Sequence, residues 1–168
     1  MLYREILVAV DGSRESQRAL DHAVELARDE HARLTLVTVV APVTLSQVSA
    51  LTSVACVRDA YAKVLHNARD AVPDDVGVTT MLLEGNPARE IVRLARTGRY
   101  DLVVMGTHGR SRLAGALLGS VSREVLHCAQ TPVLLMPCPK HVPRTAPSAR
   151  PLQPGTPAAP KTGASARR

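Results

Sequence analysis

The sequence predicts an α/β domain in which a parallel sheet carries helices on both faces. Three observations lead there. Short, nearly continuous apolar runs such as Ile6-Leu7-Val8-Ala9-Val10 and Leu102-Val103-Val104-Met105 have the look of strands buried on both faces. Between those runs, apolar residues recur at helical spacing, as in Ala19, Leu20, Ala23, Val24 and Ala27. The two patterns alternate strictly from one end of residues 1–138 to the other, and parallel strands need helical crossovers of this kind.

Each element follows in order. The first strand runs into Asp11-Gly12-Ser13, and Ser13 is a candidate N-cap for the first helix. Leu34 to Val40 is the second strand. After Pro42 and a polar stretch, Val54, Val57, Tyr61, Val64, Leu65, Ala68 and Val72 form a long amphipathic stripe. Val78 to Leu83 reads as the third strand. Asn86 and Pro87 mark the start of a third helix, as cap and first-turn residue, and Gly98 marks its end. The fourth strand, Leu102 to Met105, enters a glycine-rich loop. A fourth helix spans Ser120 to Ala129, and Val133 to Met136 forms the fifth strand, closed by Pro137. These patterns do not fix the order of the strands in the sheet. Ligands of such sheets bind beyond the carboxyl ends of the strands, where the order reverses.

Charge divides the chain. Of 21 Lys and Arg and 15 Asp and Glu, six basic residues and no acid fall in 139–168, which leaves 15 of each sign in 1–138. The second segment also holds seven of the twelve prolines, among Ala, Ser, Thr and Gly. The expectation is a neutral globular domain over 1–138 and a disordered, basic, Pro/Ala-rich tail over 139–168. The tail is read as solubilising; without stacking aromatics it lacks the means for single-strand nucleic-acid binding. No apolar run reaches membrane-spanning length, and the first residues lack the pattern of a secretory signal. Cys56, Cys128 and Cys138 are odd in number and lack metal-ligand spacing, which fits a reducing cytoplasm; Cys128 is expected to pack as a small buried residue.

The most informative segment is the loop from Gly106 to Ser122. Gly106 and Gly109 permit positive φ and let backbone N–H groups approach an anion. Gly119 and Ser120 open a helix whose first N–H groups and dipole favour phosphate. The hydroxyls of Ser120 and Ser122 add donors, and Arg110 and Arg112 offer charge-assisted contacts. The loop is neither a P-loop, since no Lys follows Gly119, nor a G-x-G-x-x-G dinucleotide fingerprint. Glycine count alone is equally compatible with a connection that binds nothing. Asp11 lacks the neighbouring acid that a Mg²⁺-dependent phosphoacceptor needs, and His108 has no second ligand at metal-binding spacing. The helical face bearing Arg93 and Arg96 is read as solvated.

Gly106-x2-Gly109-x9-Gly119-Ser120 resembles the G-2x-G-9x-G-(S/T) signature of the ATP-binding branch of the universal stress protein family. The opening Ile6 to Ser13 and the ending Ser122 to Leu134 resemble that family's first and last blocks, so the likeness covers about residues 3–137. The resemblance implies a five-stranded parallel sheet in the order 3-2-1-4-5, with Asp11 and Gly106 flanking one crevice. It implies that Ala9 and Val39 line an adenine, that Asp11 lies in the nucleoside pocket, and that Gly106, Gly109, Arg110, Gly119, Ser120, Val121 and Ser122 hold ribose and phosphates. Thr107, His108, Ser111 and Arg112 belong to the same loop. It further implies ATP with Mg as ligand, a nucleotide-dependent stress-response sensor with an unidentified regulatory partner, and a homodimer through Val133, Leu134, Leu135 and Met136. No catalytic or metal-ligating residue is assigned. A weak ATPase and a nucleotide-free dimeric scaffold are the competing readings; with no Walker-type Lys, hydrolysis is expected to be slow or absent.

Overall fold

Strand β1 (Glu5–Ala9) leads through α1 (Arg14–Glu30), β2 (Arg33–Val40), α2 (Val54–Asp70), β3 (Val78–Glu84), α3 (Pro87–Thr97), β4 (Leu102–Gly106) and α4 (Ser120–Cys128) to β5 (Val133–Met136) in a computed structural model. The structure describes residues 2–42, 54–109 and 118–137, all within a unit that runs from Met1 to Cys138. The basic segment 139–168, expected from its composition to be disordered, lies outside the described residues.

All strand pairs are parallel, in the order β3-β2-β1-β4-β5. This is the order that the family resemblance implied. Central β1 pairs Ile6 with both Leu34 and Leu102, and Val8 with both Leu36 and Val104. Its continuous apolar character has a direct cause. Side chains alternate across a strand, and here both faces are covered. Ile6, Val8 and Val10 pack with Ala19, Leu20 and Ala23 of α1 and with Leu65 and Ala68 of α2. Leu7 packs on the other face with Val37, Val103 and Met105, beneath Ala88, Ile91 and Leu94 of α3 and Val125 of α4. A strand with only one covered face would need polar residues at every second position.

The caps read from the sequence are formed. The Ser16 N–H donates to Ser13 Oγ at 3.1 Å, and the Arg89 N–H donates to Asn86 Oδ1 at 3.1 Å with Pro87 at the start of α3. Each satisfies one of the N–H groups that a helix start leaves without a partner. One expectation is corrected: Cys128 is exposed. The buried residues of the nine-residue α4 are Ser122 and Val125, and Cys128, the last helical residue, is not among them. No helix among the described residues is long and apolar enough to cross a membrane.

Candidate functional site

The strand order reverses between β1 and β4. From β1 the chain passes through Asp11-Gly12 into α1; from β4 it passes through Gly106 to Gly109 toward α4. The two connections diverge and leave a cleft of about 250 Å³ at the carboxyl edge of the sheet, where a ligand is expected on topological grounds.

Residues from seven elements shape it. Ala9, Val37, Val39, Met105 and Ile91 give an aliphatic lining, while Asp11, Ser16, His108, Gly109, Gly119, Ser120 and Ser122 supply polar groups. The edge of β1 is fixed on β2 by the Val10 N–H, which donates to the Val37 carbonyl at 2.9 Å, and by buried Thr38, whose Oγ1 donates to the Val10 carbonyl at 2.8 Å. The chain then turns at Gly12, whose φ of 80° is costly for any residue with a Cβ. Within that turn Asp11 Oδ1 accepts from the Ser13 N–H at 2.9 Å, which directs the carboxylate across the cleft.

The glycines of the loop are explained by space. Neither Gly106 nor Gly109 adopts the positive φ that the sequence reading allowed them; among the described glycines, positive φ occurs at Gly12 and Gly85. A Cβ on Gly109 would lie 2.5 Å from Asp11 Oδ2, so glycine lets the loop backbone close onto the carboxylate. A Cβ on Gly106 would lie 2.7 Å from Glu15 Cβ and 3.0 Å from the Glu15 backbone, so that glycine lets β4 approach the first turn of α1, where Glu15 is buried. At Gly119 an added Cβ would meet the Thr107 carbonyl at 3.3 Å.

The start of α4 is joined to this loop by hydrogen bonds. The Gly119 N–H donates to the Thr107 carbonyl at 2.8 Å, and buried Ser122 directs its Oγ at the same carbonyl at 2.6 Å, with the Gly119 carbonyl at 3.1 Å. The Ser122 hydroxyl thus ties the loop to the start of α4. The helix begins at Gly119 with no side-chain cap, in contrast to the Ser13 and Asn86 caps of α1 and α3. The first N–H groups of a helix have no carbonyl within it to bond, and they carry the positive end of its dipole. His108 Nδ1 lies 3.2 Å from Thr107 Oγ1.

The sequence-predicted residues Ala9, Asp11, Val39, Gly106, His108, Gly109, Gly119, Ser120, Val121 and Ser122 all line this one cleft. Thr107 stands behind the lining and acts through its carbonyl. Arg110, Ser111 and Arg112 lie outside the described residues. Sequence reasoning missed Val10, Ser16, Val37, Tyr61, Pro87, Ile91 and Met105, which also line it. Only Pro87, beside a helix cap, carried any local mark.

Known proteins share this fold. A family model described as the universal stress protein family matches residues 2–137. Universal stress protein YxiE of Bacillus subtilis is 33% identical over 148 residues, spanning 80% of this chain and 99% of its own length. A universal stress protein family structure from Burkholderia pseudomallei is 35% identical, with a TM-score of 0.66, over 82% of this chain and 98% of that one. A universal stress protein solved in complex with cAMP is 30% identical, with a TM-score of 0.62, over 81% of this chain and 98% of that one. Sequence blocks, strand order and family match agree: this chain belongs to the universal stress protein family.

Proposed function

We propose that this chain binds an adenine nucleotide, ATP with Mg, in the cleft between β1 and β4 and acts as a nucleotide-dependent regulator. The observation that carries the reading is the apposition of Asp11 and Gly109 beside the uncapped start of α4. A carboxylate that can accept from ribose hydroxyls stands next to backbone donors suited to phosphate, and glycine at 109 and 119 keeps the approach open. The aliphatic lining from Ala9, Val39 and Met105 suits a planar base. The relative in complex with cAMP supports the adenine nucleotide as the ligand class.

In this reading Ala9 and Val39 flank the base, Asp11 holds the nucleoside, and Gly109, Gly119 and Ser120 face the phosphates. Arg110, Ser111 and Arg112 join them through the family signature alone. Mg²⁺ supplies charge neutralisation of the phosphates when bound. Nucleotide occupancy shifts the population of loop arrangements between β4 and α4 and so alters the surface offered to a regulatory partner. Among the described residues the apolar strand β5 pairs with β4 alone, and we assign its other edge to a second copy of the chain, in the cytoplasm. Hydrolysis is slow or absent, because the described cleft presents no Lys to a γ-phosphate.

The test is to denature the protein as purified and identify what it releases by ion-exchange chromatography. An adenine nucleotide near one per chain is the expected result. A protein that releases none and whose stability does not respond to millimolar Mg-ATP refutes the reading.

A further inference from the structure

Among the described residues that line the cleft, Tyr61 carries the one phenol ring, with the His108 imidazole of the glycine loop as the other ring. The chain has no Phe and no Trp, and its other tyrosines lie elsewhere: Tyr3 packs against the α1 and α2 side of the core and Tyr100 against the α3 side. Tyr61 belongs to α2, in the helix layer on one face of the sheet, whereas Pro87, Ile91 and Val121 come from α3 and α4 on the other. A ligand seated along the carboxyl edge of the sheet therefore has a half-buried aromatic ring from one layer and aliphatic side chains from the other as its walls. Aliphatic walls exclude water without favouring any ring, but an aromatic ring rewards a second flat π-system placed against it.

We propose that Tyr61 is a ligand-binding residue of the cleft: it is the platform on which the base is stacked, so that the base contributes to affinity beside the phosphates. The proposal rests on the nucleotide reading above and adds to it a residue outside the glycine loop. It also gives the protein a built-in reporter. With no Trp present, intrinsic emission comes from the tyrosines, and only Tyr61 borders the site.

The experiment is Mg-ATP and Mg-ADP titration of the full chain and of Tyr61→Ala and Tyr61→Phe, followed by calorimetry and by tyrosine emission. Wild type is expected to show a saturable emission change that Tyr61→Phe abolishes. Tyr61→Ala is expected to weaken binding at least about fivefold, the lower bound for loss of one stacking partner, while Tyr61→Phe stays within about twofold of wild type. The loss is expected to be the same for ATP and ADP, which share the base. Should Tyr61→Ala disturb folding, seen by circular dichroism, Tyr61→Leu keeps an apolar side chain there and is expected to show the same loss.

Three results overturn the proposal while leaving nucleotide binding intact: undiminished affinity in Tyr61→Ala or Tyr61→Leu, an equal loss in Tyr61→Phe, or a loss confined to ATP. Absence of binding in wild type removes the nucleotide reading itself.

Discussion

Gly106 and Gly109 stand three residues apart in one loop, yet alanine should act on them in different ways. At Gly106 the added Cβ meets Glu15 Cβ at 2.7 Å, the Glu15 carbonyl carbon at 3.0 Å and the His108 carbonyl oxygen at 3.0 Å. These atoms belong to backbone or are attached directly to it, so none can swing aside. Relief requires β4 and the first turn of α1 to separate. Overpacking of this kind costs about 1–3 kcal/mol, and contact with unyielding atoms places Gly106→Ala near the top of that range. For a domain of this size about 2–3 kcal/mol lowers the unfolding midpoint by about 6–12 °C. At Gly109 the obstructing atom is Asp11 Oδ2 at 2.5 Å, the end of a side chain. The carboxylate can rotate away, at the cost of the bond from the Ser13 N–H to Oδ1, about 1 kcal/mol. Rotation removes the carboxylate from the nucleoside position, so Gly109→Ala should keep most of its stability and lose about tenfold or more in nucleotide affinity. Thermal unfolding without nucleotide and calorimetric titration with Mg-ATP separate the two effects. A Gly106→Ala protein that melts with wild type, or a Gly109→Ala protein that binds as wild type, refutes the reasoning.

Further outcomes follow from single contacts. Ser122→Ala removes a buried hydroxyl from the Thr107 carbonyl and should cost about 1 kcal/mol in chemical denaturation, with weaker nucleotide binding because the loop is no longer held to α4. Asn86→Ala uncaps α3 and should likewise cost about 1 kcal/mol, but at constant nucleotide affinity. Asp101 Oδ2 accepts from the Arg4 and Glu5 N–H groups at 2.7 and 3.0 Å, and these bonds lower its carboxyl below the ordinary value of 3.8. A depressed folded-state value means that the ionised group stabilises the fold fully above the unfolded value and loses that contribution as the pH falls below about 3.8 toward the folded one. Asp101→Asn should therefore unfold at lower temperature than wild type at neutral pH, and the gap should shrink in acid. The exposed Arg28–Asp75 pair, 2.8 Å apart, should matter little: Arg28→Ala is expected to leave the melting midpoint essentially unchanged.

How far these features could be read beforehand depends on whether their cause is local. Ile6 to Val10 and Leu102 to Met105 announce strands because burial on both faces suppresses polar alternation, and Ser13 and Asn86 announce helix starts because capping acts within three residues. The strand order was legible only through family resemblance, since residue patterns carry no record of which strands adjoin. The loop glycines marked the site, but their physical reason was hidden. Gly106 answers to Glu15, and Gly109 to Asp11, each far away in sequence. Tyr61 and Ile91 occupy apolar positions on amphipathic helices, where a side chain that lines a cleft and one that fills a core obey the same spacing. The exposure of Cys128 was misread for a related reason, because over nine residues a small change in helix phase decides which side chains face inward.

The central claim is that Asp11, the glycine loop and the start of α4 form one nucleotide site. Calorimetric titration of Mg-ATP into nucleotide-free wild type and into Gly109→Ala tests it most directly. The account predicts saturable binding at one nucleotide per chain in wild type, weakened about tenfold or more by the added methyl group. Equal binding by the two proteins, or none by wild type at millimolar nucleotide, contradicts it.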